Sequence, residues 1–107
     1  MTDRNQFRLI DRSLHEAIMD GNRRQAQLII EKHDGDVNSQ DQYGASPALL
    51  AAKRNDFEML QLLVEKGADV TLSDYMGFTA MQWAQENRNE KMADFIEEHS
   101  NPAQMRM

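Results

Sequence analysis

Apolar residues recur along this chain with the three- and four-residue spacing of amphipathic helices. Two such stripes are formed by Phe57, Leu60, Leu63 and Val64, and by Met92, Phe95 and Ile96. A shorter helix is predicted before each stripe, over about residues 47–54 and 80–87, because Ser46 and Thr79 can cap free helix N–H groups. Gly67 is suited to end the second stripe in a left-handed conformation. The pattern therefore predicts helical hairpins joined by polar loops.

The same hairpin pattern occurs more than once, at an interval of 33 residues. Residues 41–52 read DQYGASPALLAA, and residues 74–85 read DYMGFTAMQWAQ. A third copy lies upstream at an offset of 34, where residues 28–32 match residues 62–66. Repetition at such a period indicates units that bury their apolar faces against one another. The predicted fold class is all-α, a short solenoid of stacked helix-turn-helix units with projecting hairpin loops.

The central unit, residues 41–73, resembles an ankyrin repeat. It carries versions of the family patterns Asp-x-x-Gly-x-Thr-Pro-Leu-His-x-Ala-Ala and Gly-Ala-Asp-Val-Asn. Its departures are conservative: Ser46 replaces threonine, Ala48-Leu49 replaces Leu-His, and Thr71 replaces asparagine. The resemblance covers about residues 13–99 and implies an ankyrin-type solenoid.

We predict a single domain over residues 1–100. It divides into an N-terminal capping unit at about 3–38, a central repeat at about 41–73 and a C-terminal capping repeat at about 74–99, and residues 101–107 are expected to be a disordered tail. The first unit lacks the preceding turn, and apolar spacing from Phe7 onward predicts that its first helix extends back toward residues 2–3. In the last unit, polar residues such as Gln82 and Gln85 are expected to give the C-terminal end of the stack a polar face that can be exposed to solvent.

Composition and charge narrow the classes of function. The 107 residues include 18 acidic and 12 basic side chains, a net charge of -6 that disfavours nucleic acid and anionic membranes as partners. The chain start lacks the apolar stretch of a signal peptide, so we expect a cytoplasmic location. The absence of cysteine excludes disulfides and thiolate chemistry.

Two stretches of the sequence match part of a metal-binding motif but lack residues that the motif requires. HEAIM at residues 15–19 places Met19 where a zinc motif needs its second histidine. Asp34, Asp36 and Asn38 have calcium-loop spacing, but Ser39 replaces the turn glycine and Ala45 the bidentate glutamate. We expect His15 to bond loop backbone instead, and the acidic residues to serve turns. No catalytic, cofactor-binding or metal-binding residue is predicted, and the chain is expected not to be an enzyme.

The resemblance implies that a partner protein docks on the concave face formed by the loop tips and the first helices. We define the predicted binding face as Met19, Asp20, Gln42, Tyr43, Lys53, Arg54, Tyr75, Met76, Phe78, Glu86 and Asn87. Gln40, Ala45 and Ser73 also belong to the tips by position. Independently of the family, aromatic residues and methionine on turns suit interface anchors. Two roles are weighted equally for Phe78: it either binds a partner or folds back onto the stack.

The leading hypothesis is a monomeric, non-enzymatic module that binds a partner protein with a basic or apolar face. It would act as an inhibitor, an immunity protein or a complex subunit. The alternatives are a self-associating structural unit, in which the same aromatic residues contact a second copy, and an enzyme with an unrecognised site.

Overall fold

The computed structural model describes residues 7–100, and this part of the chain contains six α-helices and no strand. The helices are α1 (Leu9–Met19), α2 (Arg23–Lys32), α3 (Pro47–Lys53), α4 (Phe57–Glu65), α5 (Ala80–Glu86) and α6 (Glu90–Glu98). Consecutive helices form three hairpins, and α1, α3 and α5 pack side by side as an inner row. The predicted all-α class and stacking of helical hairpins are confirmed.

Helix starts follow from side chains that accept a hydrogen bond from the first turn. The Ser46 hydroxyl accepts from the Leu49 amide, and Thr79 does the same for Gln82, so both predicted caps are confirmed. Helices α2, α4 and α6 begin in the same way at Asn22, Asp56 and Asn89. The observed bounds of α3 and α5 differ from the prediction by one residue at the C-terminus.

Helix α1 begins later than the sequence predicts. Arg8 has an extended backbone, with φ -80° and ψ 165°, and its guanidinium Nε lies 2.9 Å from Oδ2 of Asp11. Because the Arg8 amide also donates to Asp11, this pair fixes a boundary between extended and helical backbone at residue 8. The predicted extension toward residues 2–3 is therefore wrong at residues 7–8. Its remainder, like the predicted disorder of 101–107, lies outside the described residues.

The core runs along the stack between the two rows of helices. Small residues let the inner helices approach closely, and Ala51 and Ala84 are fully buried. Ile29, Leu63 and Ile96 occupy equivalent positions on the outer helices of successive units, and all three are buried. Each unit thus buries the apolar face of its neighbour.

Polar contacts also join the units. Lys66 forms an ion pair with Glu31 between the outer helices α2 and α4. The Arg54 guanidinium donates to the Met19 carbonyl at 2.6 Å. The Asn87 side-chain amide donates to the Ala52 carbonyl at 3.1 Å, so the ends of the inner helices are tied along the stack.

Candidate protein-binding surface

The two hairpin tips have the same internal hydrogen bonds. In the first tip, Oδ1 of Asp41 accepts from the amides of Tyr43 and Ala45, both at 2.9 Å. In the second, Oδ1 of Asp74 accepts from the amides of Met76 and Phe78, also at 2.9 Å. One carboxylate therefore satisfies two backbone donors in each tip. The tip backbone is fixed without help from its outer side chains.

Large apolar side chains on these tips point into solvent. Tyr43 is 67% exposed, Tyr75 is 74% exposed and Met76 is 79% exposed. Gln42 beside them is also exposed. Since the tip backbone is already held by Asp41 and Asp74, these exposed side chains are available for contact.

The tips are joined into one continuous edge. The Tyr75 amide donates to the Tyr43 carbonyl at 3.0 Å, and Nε2 of Gln40 donates to the Ser73 carbonyl at 3.2 Å. Two positions assigned to the tips are less accessible than predicted: Ala45 is 7% exposed, and Gln40 is half-buried because its amide is used inside the edge.

The helix residues of the predicted binding face lie at the C-terminal ends of the inner helices. The exposed ones are Met19, Asp20, Lys53, Arg54, Glu86 and Asn87. Arg54 and Asn87 also make the bonds between units described above, so substituting either would alter the stack as well as its surface.

Phe78 is partly exposed and also packs against the stack. It is 41% exposed, yet its ring centroid lies 5.9 Å from that of Trp83 with a tilt of 44°. Nζ of Lys53 lies 5.4 Å from the Trp83 ring centroid, within the range of a cation–π contact. The sequence analysis gave Trp83 no role and missed its contact with Lys53. The available signal was the repeat register, because Lys53 lies one helical turn after Leu50, the counterpart of Trp83.

His15 lies beneath the first tip and has the predicted structural role. Its Nε2 lies 3.1 Å from the Ser39 carbonyl oxygen and 3.0 Å from the Ser39 hydroxyl oxygen. Nδ1 lies 3.9 Å from Oδ2 of Asp41. Burial lowers the pKa of His15, although the Ser39 contact and the negative charge of Asp41 oppose this shift. The neutral ring therefore supports the loop from below.

Asp11 is the other buried titratable group of this region, at 1% exposure. Burial favours its neutral form, but hydrogen bonds from the Arg8 side chain and the Asp36 amide outweigh burial and lower the pKa of Asp11. In the calcium-like stretch, Asp36 serves a turn as predicted, whereas Asn38 links this loop to the next one and Asp34 forms an ion pair with Arg8. Asp36 accepts from the Asn38 amide, and Asn38 bonds the backbone of Gly67 and Asp69.

Within residues 7–100, no group of three or more His, Cys, Asp or Glu side chains has the geometry of a metal site. None of the helices in that range is both long and apolar enough to span a bilayer.

Comparison with known proteins gives a consistent picture. A family profile described as ankyrin repeats, in three copies, matches residues 14–105. A segment of a Rickettsia bellii protein named for ankyrin repeats is 26% identical over 64% of the chain. A segment of the human BCL-6 corepressor-like protein 1 is 34% identical over 88% of the chain, and one of a fowlpox virus protein named for ankyrin repeats is 32% identical over 64%. The aligned parts represent 40%, 5% and 16% of these three proteins.

Proposed function

Because the chain belongs to the ankyrin repeat family, whose members are typically non-enzymatic protein-interaction modules, we propose that it binds a partner protein through the predicted binding face. We place this activity in the cytoplasm and assign it to a monomer. The finer role is one of three: an inhibitor, an immunity protein or a subunit of a complex. The name of the human relative, a corepressor-like protein, supports the last of these.

The observation that carries the proposal is the exposure of Tyr43, Tyr75 and Met76 on tips whose backbone is held by Asp41 and Asp74. Ordering a loop on binding costs conformational entropy, and a loop that is already fixed avoids much of this cost. Rigid aromatic side chains also lose little freedom when a partner covers them. The tip edge is thus suited to act as a preformed set of anchors.

The charge of the predicted binding face indicates what kind of partner suits it. Its charged members are Asp20 and Glu86 against Lys53 and Arg54, so the face is balanced although the whole chain carries -6. A balanced face gives little long-range attraction to a basic surface. Of the two partner chemistries considered, this supports an apolar surface that receives the tip side chains.

The test compares capture of partner proteins by the wild type and by a double variant, Tyr43→Ala with Tyr75→Ala. The matched control is Gln61→Ala with Asp94→Ala, two exposed positions on the outer helices α4 and α6. We expect the tip variant to lose capture while the control retains it. Circular dichroism and thermal melting of both variants must show an intact fold. Equal capture by all three proteins would refute the assignment of the face.

Light scattering separates this proposal from self-association. A monomer at the concentrations used for capture supports a binding module, whereas a dimer that dissociates on the tip substitutions would assign the same aromatic residues to a second copy.

A further inference from the structure

The third unit covers the second through a specific set of tip contacts. The Tyr75 amide donates to the Tyr43 carbonyl, and the Tyr75 ring occupies the space beside Gly44. A Cβ placed on Gly44 would lie 2.7 Å from Cδ1 of that ring and 2.8 Å from the Tyr75 nitrogen. The third unit also buries Leu49 and Ala52 on helix α3. A covering unit therefore supplies a backbone donor, an aromatic ring and an inner helix.

Among the described residues, none covers the corresponding groups of the third unit. Thirty-three residues after Tyr43 and Gly44 come Met76 and Gly77. The Met76 carbonyl accepts no hydrogen bond within residues 7–100, and a Cβ on Gly77 would meet no atom within 4 Å. Phe78 is 41% exposed, whereas its counterpart Ala45 is 7% exposed. The edge formed by the two tips thus ends, within the described residues, at the Met76 carbonyl, which is free to accept a hydrogen bond, and at Gly77, which has free space beside it.

A groove lies beside this open edge. It has a volume of about 510 Å³ and is lined by Phe78, Gln82, Trp83, Gln85 and Glu86. The aromatic rings of Phe78 and Trp83 give it apolar walls, and Glu86 places a carboxylate at its border. A large apolar side chain with a basic neighbour matches this combination.

Charge and geometry argue against a second copy of the chain as the occupant. Residues 74–99 carry six acidic and two basic side chains, a net charge of -4. Two such ends facing each other would repel. The opposite end of a second copy could not supply the same contacts, because the positions that correspond to its tip are residues 7–10, at the start of helix α1.

We propose that this open end is a second docking site for a different polypeptide of net positive charge. It shares Met76, Phe78 and Glu86 with the predicted binding face but extends beyond that face over Gly77 and the groove. The bound segment is extended, donates a backbone N–H to the Met76 carbonyl, and places an aromatic side chain over Gly77 and the groove. The bound segment thus takes the position of a further repeat unit. Its backbone and aromatic side chain contact the third unit as Tyr75 contacts the second unit.

A peptide probe tests this directly. The probe carries LSDYMGFT, the sequence of residues 72–79, between two pairs of lysines, and is added to the isotope-labelled full chain while amide and indole shifts are recorded. We expect shift changes at Met76, Gly77, Phe78 and the Trp83 indole. Matched probes replace the lysines with glutamates or the tyrosine with alanine, and both should bind more weakly.

Variants at opposite ends of the stack separate this site from the rest of the predicted binding face. Glu86→Lys should raise the dissociation constant of the lysine probe several-fold, whereas Met19→Ala, at the other end of the stack, should leave it unchanged. Shift changes centred on Met19 and Tyr43 would overturn the end site while leaving the proposed function standing. Three other results would also overturn it: absence of binding, the same shifts on concentrating the chain alone, or binding only after removal of residues 101–107.

Discussion

The contact between neighbouring tips predicts that two equivalent glycines respond differently to the same substitution. Gly44 and Gly77 have similar backbone angles, with φ of +82° and +91°. Alanine at either position is therefore strained, at a cost of roughly 1–2 kcal/mol. Only at Gly44 does the added Cβ also meet another group, the ring and the nitrogen of Tyr75, at less than 3.0 Å. Overpacking of this kind costs typically about 1–3 kcal/mol more.

We therefore expect Gly77→Ala to destabilise the protein by roughly 1–2 kcal/mol and Gly44→Ala by roughly 2–5 kcal/mol. Urea unfolding followed by circular dichroism gives both values, and the melting temperature should differ by at least roughly 4 °C between the two variants. The shared backbone strain cancels in this comparison, which isolates the tip contact. Equal destabilisation would mean that the second tip does not pack on Gly44.

A third variant, Gly44→Ala with Tyr75→Ala, identifies which part of Tyr75 resists the new methyl group. Removal of the ring relieves the contact at Cδ1 but leaves the Tyr75 nitrogen 2.8 Å from the added Cβ. We expect partial recovery of stability. Full recovery would show that the backbone edge can move away without cost.

Three further predictions address the core, acid stability and recognition. Ala51→Leu should lower the unfolding free energy by about 1–3 kcal/mol, measured in urea, because Ala51 is fully buried. The free energy of unfolding should fall as pH decreases below about 6.5, because burial lowers the pKa of His15 and the unfolded chain then binds more protons than the folded chain. Urea titrations at several pH values measure this change, and His15→Leu should show a weaker dependence of stability on pH. Partner binding to the charge-balanced face should change little between about 0.05 and 0.5 M salt in a titration, and a steep loss would indicate a basic partner.

The fold followed from local features of the sequence. Apolar spacing located α4 and α6, and the hydroxyl side chains of Ser46 and Thr79 located the starts of α3 and α5. These signals are reliable because they act within one or two helical turns. The start of α1 was misjudged because apolar spacing continues to Phe7, whereas the Arg8–Asp11 pair holds residue 8 in an extended conformation. Periodicity alone does not reveal a boundary set by one ion pair.

The sequence predicted less of the candidate surface than of the fold. The repeat register located both tips, but it could not decide whether an aromatic side chain there points outward. That depends on contacts between units, such as the Phe78 ring against Trp83. The uncovered state of the Met76 carbonyl and Gly77 likewise emerges only when one unit is compared with the next in three dimensions.

The last unit departs from its neighbour in two opposite ways. Leu49 and Ala52, buried in the second unit, are replaced by Gln82 and Gln85, which makes the end of the stack more soluble.

A unit that only terminated the stack would be polar throughout this end. Instead, Ala45 and Leu50 are replaced by Phe78 and Trp83, which enlarges the apolar side chains beside the open tip. An enlarged aromatic surface at the end of the described stack costs solubility, and only part of it, the Trp83 ring beside Lys53, contacts the preceding unit. Its placement next to an unused backbone acceptor is explained if another polypeptide covers both.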